Sequence, residues 1–373
     1  MRAWSMTLLM VTACGFPRPA DLPSPAGDDA SVPVDASLCF GSFVRVCFDS
    51  AADLPTQPRH WGEDGKDVAV DSDIGMECDQ HNSQMAAYCV VTGAGMTFAE
   101  SRTFRVFGDK PLVLLSTDRV ELRGIIDASG PTRGASPDPR GQCIGGIFAM
   151  GLGGGAGGSF GGQGGDGESV NGTAGGQAAP RLEQFPAILR GGCSGQAPSA
   201  VAVGTPGARG GKGGGAIAII APTLLLDGVI NASGEGGLGG GISGPAAGGG
   251  SGGMIVLDVP KGGLAQGPGG LLFANGGGGG EGGDPTLVGS PGVSSSAPTP
   301  AAPGGGTGGP AGPGNIFGGK GGKGSAGGEL NGSSAPGNAR FNMGGAAGGG
   351  GGGAGFIHAS GIIDDSVISP PSQ

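Results

Sequence analysis

One phrase recurs along this chain and limits its fold more than any other feature. Ala216-Ile217-Ala218-Ile219-Ile220-Ala221 is broken by Pro222-Thr223, followed by Leu224-Leu225-Leu226-Asp227-Gly228-Val229-Ile230-Asn231-Ala232-Ser233-Gly234. Apolar, β-branched runs of this length, interrupted by Pro or Gly, are too short for helices and suit strands buried by neighbours. A second copy pairs Leu112-Val113-Leu114-Leu115 with Val120-Glu121-Leu122-Arg123-Gly124-Ile125-Ile126-Asp127-Ala128-Ser129-Gly130. A third pairs Met254-Ile255-Val256-Leu257 with Gly270-Leu271-Leu272-Phe273-Ala274-Asn275-Gly276, and Gly355-Phe356-Ile357-His358-Ala359-Ser360-Gly361 reads as a truncated fourth. The phrase repeats but its spacing does not, which fits stacked units whose extra residues leave at the turns. The expected fold is all-β: a right-handed parallel β-helix, a solenoid with long glycine-rich insertions behind a small disulfide-containing N-terminal module. Asp127 and Asn231 would then stack at one turn, each bonding its own backbone. The competing architecture is an antiparallel sandwich in which Pro222-Thr223 closes a hairpin.

Glycine dominates what lies between the copies. Of 373 residues 92 are Gly and 29 are Pro, a composition that leans toward low complexity or disorder. Collagen is excluded, because the glycines come in runs such as Gly348 to Gly353 and not at every third position. Glycine costs the most backbone entropy to order, so the default for these segments is disorder or loose loops unless they hydrogen-bond to one another. Bundled polyproline II strands could do so, since glycine lets backbones approach closely. The segment Pro180-Arg181-Leu182-Glu183-Gln184-Phe185-Pro186-Ala187-Ile188-Leu189 carries enough apolar residues to dock on a core. A formal net charge of −10 argues against nucleic acid, whose phosphates need a basic face.

The start of the chain carries an address. Met1-Arg2 is a minimal positive segment, Ala3 to Met10 is a short apolar one, and Val11-Thr12-Ala13-Cys14 resembles the lipobox of bacterial lipoprotein signal peptides. By that resemblance Cys14 becomes the lipidated first residue; the competing reading is an ordinary secretory signal. Six cysteines remain: Cys39, Cys47, Cys78, Cys89, Cys143 and Cys193. An even set in an exported chain is compatible with three disulfides, and pairing by neighbourhood gives Cys39 with Cys47, Cys78 with Cys89 and Cys143 with Cys193. Cys78, His81 and Cys89 also offer soft ligands, but a structural zinc site needs four, so no metal is expected.

These features divide the chain into a signal peptide (1–13), a Pro/Asp-rich tether (14–37), a Cys-containing N-terminal β module (38–110), a glycine-rich β-solenoid (111–363, with insertions 131–215 and 277–354) and a C-terminal tail (364–373). The N-terminal module with Cys39-Phe40-Gly41-Ser42-Phe43-Val44 and Asp79-Gln80-His81-Asn82, the Gly-Xaa-Ile-Asp/Asn-Ala-Ser-Gly rungs and the Gly-Gly-rich insertions together resemble glycine-rich myxobacterial-type surface lipoproteins. That group is PE-PGRS-like in composition, and the resemblance implies a β-helix-like body at the cell surface but no particular activity.

Catalytic signatures fare poorly against the glycine background. Gly157-Gly158-Ser159-Phe160-Gly161 and Gly249-Gly250-Ser251-Gly252-Gly253 fit a nucleophile-elbow pattern, yet neither follows an apolar strand into a helix. Gly314-Asn315-Ile316-Phe317-Gly318-Gly319-Lys320 approximates a phosphate loop, but Gly321 stands where Ser or Thr is needed. Gly161-Gly162-Gln163-Gly164-Gly165-Asp166 is half of a calcium-binding nonapeptide and occurs once. Asp118, Arg119, Glu121, Arg123 and Asp127 charge one rung, while the next has Leu224, Leu226, Asp227 and Asn231. The expectation is therefore an exported, lipid-anchored protein of the outer membrane or cell surface with a structural or adhesive role. No catalytic residue, cofactor, nucleotide or nucleic acid is expected; the partners are the membrane, through the lipid, and cell-envelope or extracellular polysaccharide. The alternative is a carbohydrate-active β-helix enzyme, a lyase or hydrolase.

Metabolic labelling with a palmitate analogue checks the address: the parent chain incorporates label and Cys14→Ala does not. A mature protein beginning at any residue other than Cys14 contradicts it.

Overall fold

The computed structural model describes residues 38–73, 78–79, 87–130, 143, 146–170, 172–199, 208–302, 304, 318–336, 345–360 and 368–372. Cys14, with the segments read as signal peptide and tether, lies outside them, as does His81. A short antiparallel hairpin comes first, β1 (Leu38–Phe40) with β2 (Val46–Phe48), and Cys39 faces Cys47 across it. Strands then follow in rounds of three. The first two rounds are β3 (Arg59–Trp61), β4 (Val68–Asp71), β5 (Cys89–Gly93), and β6 (Met96–Phe98), β7 (Thr103–Phe107), β8 (Leu112–Ser116). Next come β9 (Arg119–Leu122), β10 (Ile125–Asp127), β11 (Ala216–Ile220), and β12 (Thr223–Leu226), β13 (Val229–Asn231), β14 (Met254–Asp258). The last are β15 (Leu264–Gln266), β16 (Leu271–Phe273), β17 (Phe356–Ala359) and β18 (Ile368–Ser369).

These strands build three parallel sheets in the orders β15-β12-β9-β6-β3, β18-β16-β13-β10-β7-β4 and β17-β14-β11-β8-β5. The expected right-handed parallel β-helix, or solenoid, is corrected by this arrangement, which is a stack of three parallel sheets with no closed barrel or continuous coil among the described residues. The physical reason lies between the second and third sheets. There the chain leaves after β10, β13 and β16 and returns only at β11, β14 and β17, so three successive rounds are opened by long excursions. The antiparallel sandwich is corrected as well, because β11 and β12 belong to different sheets and Pro222 turns the corner between them. Strands β3 to β7, from the stretch read as a separate module, pair in register with β6 to β10.

Burial follows the pattern of each strand. In the sheet containing β8 and β11 all five residues of each are buried, which is why they read as unbroken apolar runs. In the other two sheets alternate residues face out, as in Thr223–Leu226. Inward residues stack in register: Phe104, Ile126, Ile230, Leu272 and Ile368 form one ladder across five strands, and the core between the sheets joins them to Leu114, Leu122, Ile219, Leu226 and Ile255. A second apolar layer covers the outer face of the β5–β17 sheet. There Val113, Leu115, Ala218, Ile220 and Val256 meet Val46 and Phe48 of the hairpin together with Phe160, Leu189 and the partly buried Phe185, so the 180–189 segment does dock on the core. The hairpin is latched by Asp258, whose carboxylate accepts bonds from the Ser42 N–H, the Ser42 hydroxyl at 2.9 Å and the Phe43 N–H at 3.1 Å.

The excursions are ordered where they are described, which corrects the default of disorder or loose loops. Their backbone hydrogen bonds recur at every third residue, the period of an extended helix with three residues per turn. In the segment 276–284, Gly277, Gly280 and Gly283 donate to Gly250, Ala247 and Gly244, while Gly279 and Gly282 donate to Gly322 and Gly319. The third register, Gly278, Glu281 and Asp284, donates to Val293, Ser290 and Leu287. Each of the three faces of the turn thus has its own neighbouring strand. Side chains have no room between them: a Cβ on Gly249 would lie 2.2 Å from the Gly277 carbonyl oxygen, on Gly350 2.0 Å from that of Gly165, and on Gly352 1.9 Å from that of Gly250. Collagen needs glycine only where three chains meet at the axis; a strand surrounded on every face needs it at nearly every position. Cys143 and Cys193 form a disulfide beside this bundle, and Cys78–Cys89 ties the start of β5.

Gly350→Ala is expected to cost about 3 kcal/mol or more, because its new methyl meets fixed backbone on a neighbouring strand and not a side chain able to move. Gly328→Ala, where nothing lies within 4 Å of the added carbon, should change the denaturation midpoint little. Equal effects from the two changes would contradict the packing.

Candidate functional site

The parallel register of the six-stranded sheet brings together residues far apart in the chain. On its outward face Arg105, Asp127, Asn231 and Phe273 form one file across β7, β10, β13 and β16. Thr103, Ile125, Val229 and Leu271 form a second file beside it. Strands in a sheet lie about 4.8 Å apart, so each file runs roughly 14 Å. Residues 294–297 stand over one end and, with the two files, enclose a cleft of about 460 Å³.

The wall of this cleft is fixed from beneath. Asn275, fully buried, donates through Nδ2 to the Ser295 hydroxyl at 3.0 Å and to the carbonyls of Ala297 and Pro298 at 2.9 and 3.1 Å. Its Oδ1 accepts from the Ser369 hydroxyl of β18. Asn275 belongs to the third copy of the repeated phrase, and it holds the loop where the first two copies hold a turn.

Asp127 and Asn231 act on their own backbone. Asp127 Oδ1 accepts from the Ser129 N–H at 3.1 Å and from Asn231 Nδ2 at 3.3 Å, and Asn231 Oδ1 accepts from the Ser233 N–H at 2.9 Å. Asp127 lines the cleft, and its Oδ2 has no bond among the described residues. The Arg105 guanidinium is exposed and likewise has no ion-pair or hydrogen-bond partner among them. The cleft therefore carries one cation and one carboxylate, set among amide, hydroxyl and aliphatic groups.

The other sequence candidates are dispersed. Arg119 and Arg123 both pair with Glu121, at 3.2 and 3.1 Å, on the face of the β9 sheet and not beside Asp127. His60 contacts Glu63 at 3.0 Å, and His358 lies beside the Phe185 ring, tilted against it. Ser159 donates to the Ala179 carbonyl at 2.6 Å and Ser251 to that of Cys193 at 3.2 Å, so both elbow-like serines tie bundle strands together. Asp166 accepts from the Ala178 N–H at 2.8 Å. Among the described residues no three His, Cys, Asp or Glu side chains converge as metal ligands, and no helix is long and apolar enough to cross a membrane. Sequence reasoning missed Arg105. Reading Thr103-Phe104-Arg105 as a further rung in phase with Ile125-Ile126-Asp127 would have found it.

Neither protein-family profiles nor characterised proteins nor solved structures provide a match to this chain. The reading of its function therefore rests on its own residues.

Arg209 and Asp284 are shifted from their ordinary values. The Arg209 guanidinium is raised above its ordinary value by its bond to Glu235, a two-pronged contact at 2.8 and 2.9 Å. Burial pushes the Asp284 carboxyl up, but bonds from the Thr286 N–H, the Thr286 hydroxyl and the Leu287 N–H together outweigh it and leave it below the usual range. A carboxyl lowered by folding stabilises above its unfolded value, near 3.9, and ceases to do so as the pH falls through the lowered folded value. Asp284→Ala should thus cost about 2 kcal/mol at pH 7, and the gap between parent and variant should close as the pH is taken below about 4. A gap that stays constant across this range in urea titrations would show that the carboxylate charge is not what holds the turn.

Proposed function

We propose that this chain is an exported protein of the cell surface, held to the membrane by lipid on Cys14, with a structural or adhesive role. What carries the reading is the glycine bundle, a body built on backbone hydrogen bonds between strands too close for side chains. It continues directly from the strands of the sheets, as where Met254 and Phe356 donate to Gly215 and Gly253. Such a lattice presents a stiff surface and offers few reactive groups. Three disulfides suit an oxidising compartment, and an acidic, weakly charged exterior suits an envelope protein. Polysaccharide of the envelope or matrix is the partner class we assign, because the outer face of the six-stranded sheet sets the polar Arg105, Asp127 and Asn231 beside the aliphatic Ile125, Val229 and Leu271. Glycoside hydrolysis ordinarily takes two facing carboxylates, and the cleft supplies Asp127 alone, so the described geometry favours binding over cleavage.

A membrane-impermeant amine reagent should label the protein on intact cells, and cells lacking it should be retained several-fold less on polysaccharide-coated surfaces. Labelling that appears only after lysis, or retention independent of the protein, would contradict the surface role.

A further inference from the structure

We infer that the cleft on the six-stranded sheet binds a neutral, hydroxyl-rich glycan laid across the strands. This deepens the adhesive reading above by assigning it a site and a ligand class. The cleft has two chemically distinct sides. Ile125, Val229 and Leu271 present a continuous aliphatic strip, and Ile125 is 37% exposed although the same strand's Ile126 is wholly buried. A sugar ring has an apolar C–H face and a rim of hydroxyls, so it can place one on this strip and the other on the polar file.

The free valences of that file match a polyol. Asp127 Oδ2 can accept from one or two hydroxyls, and Arg105 and the second Asn231 Nδ2 hydrogen can donate to others. Ser294 and Ser296 of the wall add groups that both donate and accept. A charged acceptor and a charged donor on adjacent strands favour a ligand that is itself both donor and acceptor and carries no net charge. A polyuronate is disfavoured, because Asp127 would repel its carboxylates and a chain of net charge −10 adds to that repulsion.

The site is also preformed. Its floor is strand backbone in fixed register, and its wall is held by three bonds from Asn275, so little order needs to be created on binding. Phe273 is buried at the walled end, so the open part of the polar file spans β7, β10 and β13, roughly 10 Å by strand spacing, which is longer than a single sugar ring.

Calorimetric titration of the purified full chain with neutral hexamers of glucose, mannose and xylose tests this, with a hexamer of galacturonate as the acidic arm. At least one neutral oligomer should bind saturably and more tightly than the galacturonate. Arg105→Gln and Asp127→Asn should each weaken that binding about tenfold. The asparagine keeps an oxygen for the Ser129 N–H, so its fold is retained, and Arg105 lies at the surface where its loss does not disturb packing. Lys323→Gln, on an exposed face of the bundle, should bind as the parent does. No saturable binding of any neutral oligomer, preference for the galacturonate, or unchanged affinity in both cleft variants would overturn the proposal. Because the titration uses purified protein, its failure is separable from failure of the surface reading, which is judged by labelling on intact cells.

Discussion

A backbone N–H donated to a carbonyl on a neighbouring strand, repeated at every third residue, is the interaction on which the rest of this structure depends. It requires strands to approach until an added Cβ would stand about 2 Å from a carbonyl oxygen, as at Gly350 and Gly352. Glycine is the costliest residue to order, and here the cost is offset by satisfying nearly every N–H of a segment such as 276–284 on one of three neighbours. No single strand of the bundle could persist alone, because each supplies the acceptors of the others.

The bundle and the sheets support each other through one shared sheet. The β5–β17 sheet is buried on both faces, by the core of the stack on one side and on the other by Phe160, Leu189 and the partly buried Phe185 with the hairpin residues Val46 and Phe48. The hairpin depends in turn on Asp258 of β14, which collects the donors of Ser42 and Phe43. Arg190, fully buried between the Phe160 ring and the Cys143–Cys193 disulfide, sits at the same junction. Removing the excursions would thus expose the most apolar face of the molecule. They are part of its fold and not appendages to it.

The same constraint shapes the cleft. Parallel strands in register put equivalent residues of successive rounds in line, so the apolar positions Ile126 and Ile230 continue the core while Asp127 and Asn231 stand outside in a file. A file of this kind is a site only when its ends are closed, and closure comes from residues 294–297, which reach it from within the glycine-rich excursion between β16 and β17. The excursion thereby contributes to a surface that the repeats alone would leave open.

Local chemistry was enough to make the strands legible: β-branched runs between Gly and Pro mark β8 to β14, and the Asp127 and Asn231 positions announce turns because their side chains reach backbone two residues on. Glycine runs likewise exclude collagen, since their spacing conflicts with its three-chain axis. Other matters depended on contacts across the chain. Whether Gly153 to Gly158 is loose or bonded is decided by strands near residues 246 and 350, and a stretch without side chains carries no mark of its partners. The expected solenoid gave way to a stack of sheets because the length of an excursion does not say where it packs. Arg105 could join Asp127 only once the register of β7 and β10 was set, for pairing between strands is a property of two segments and is written in neither alone.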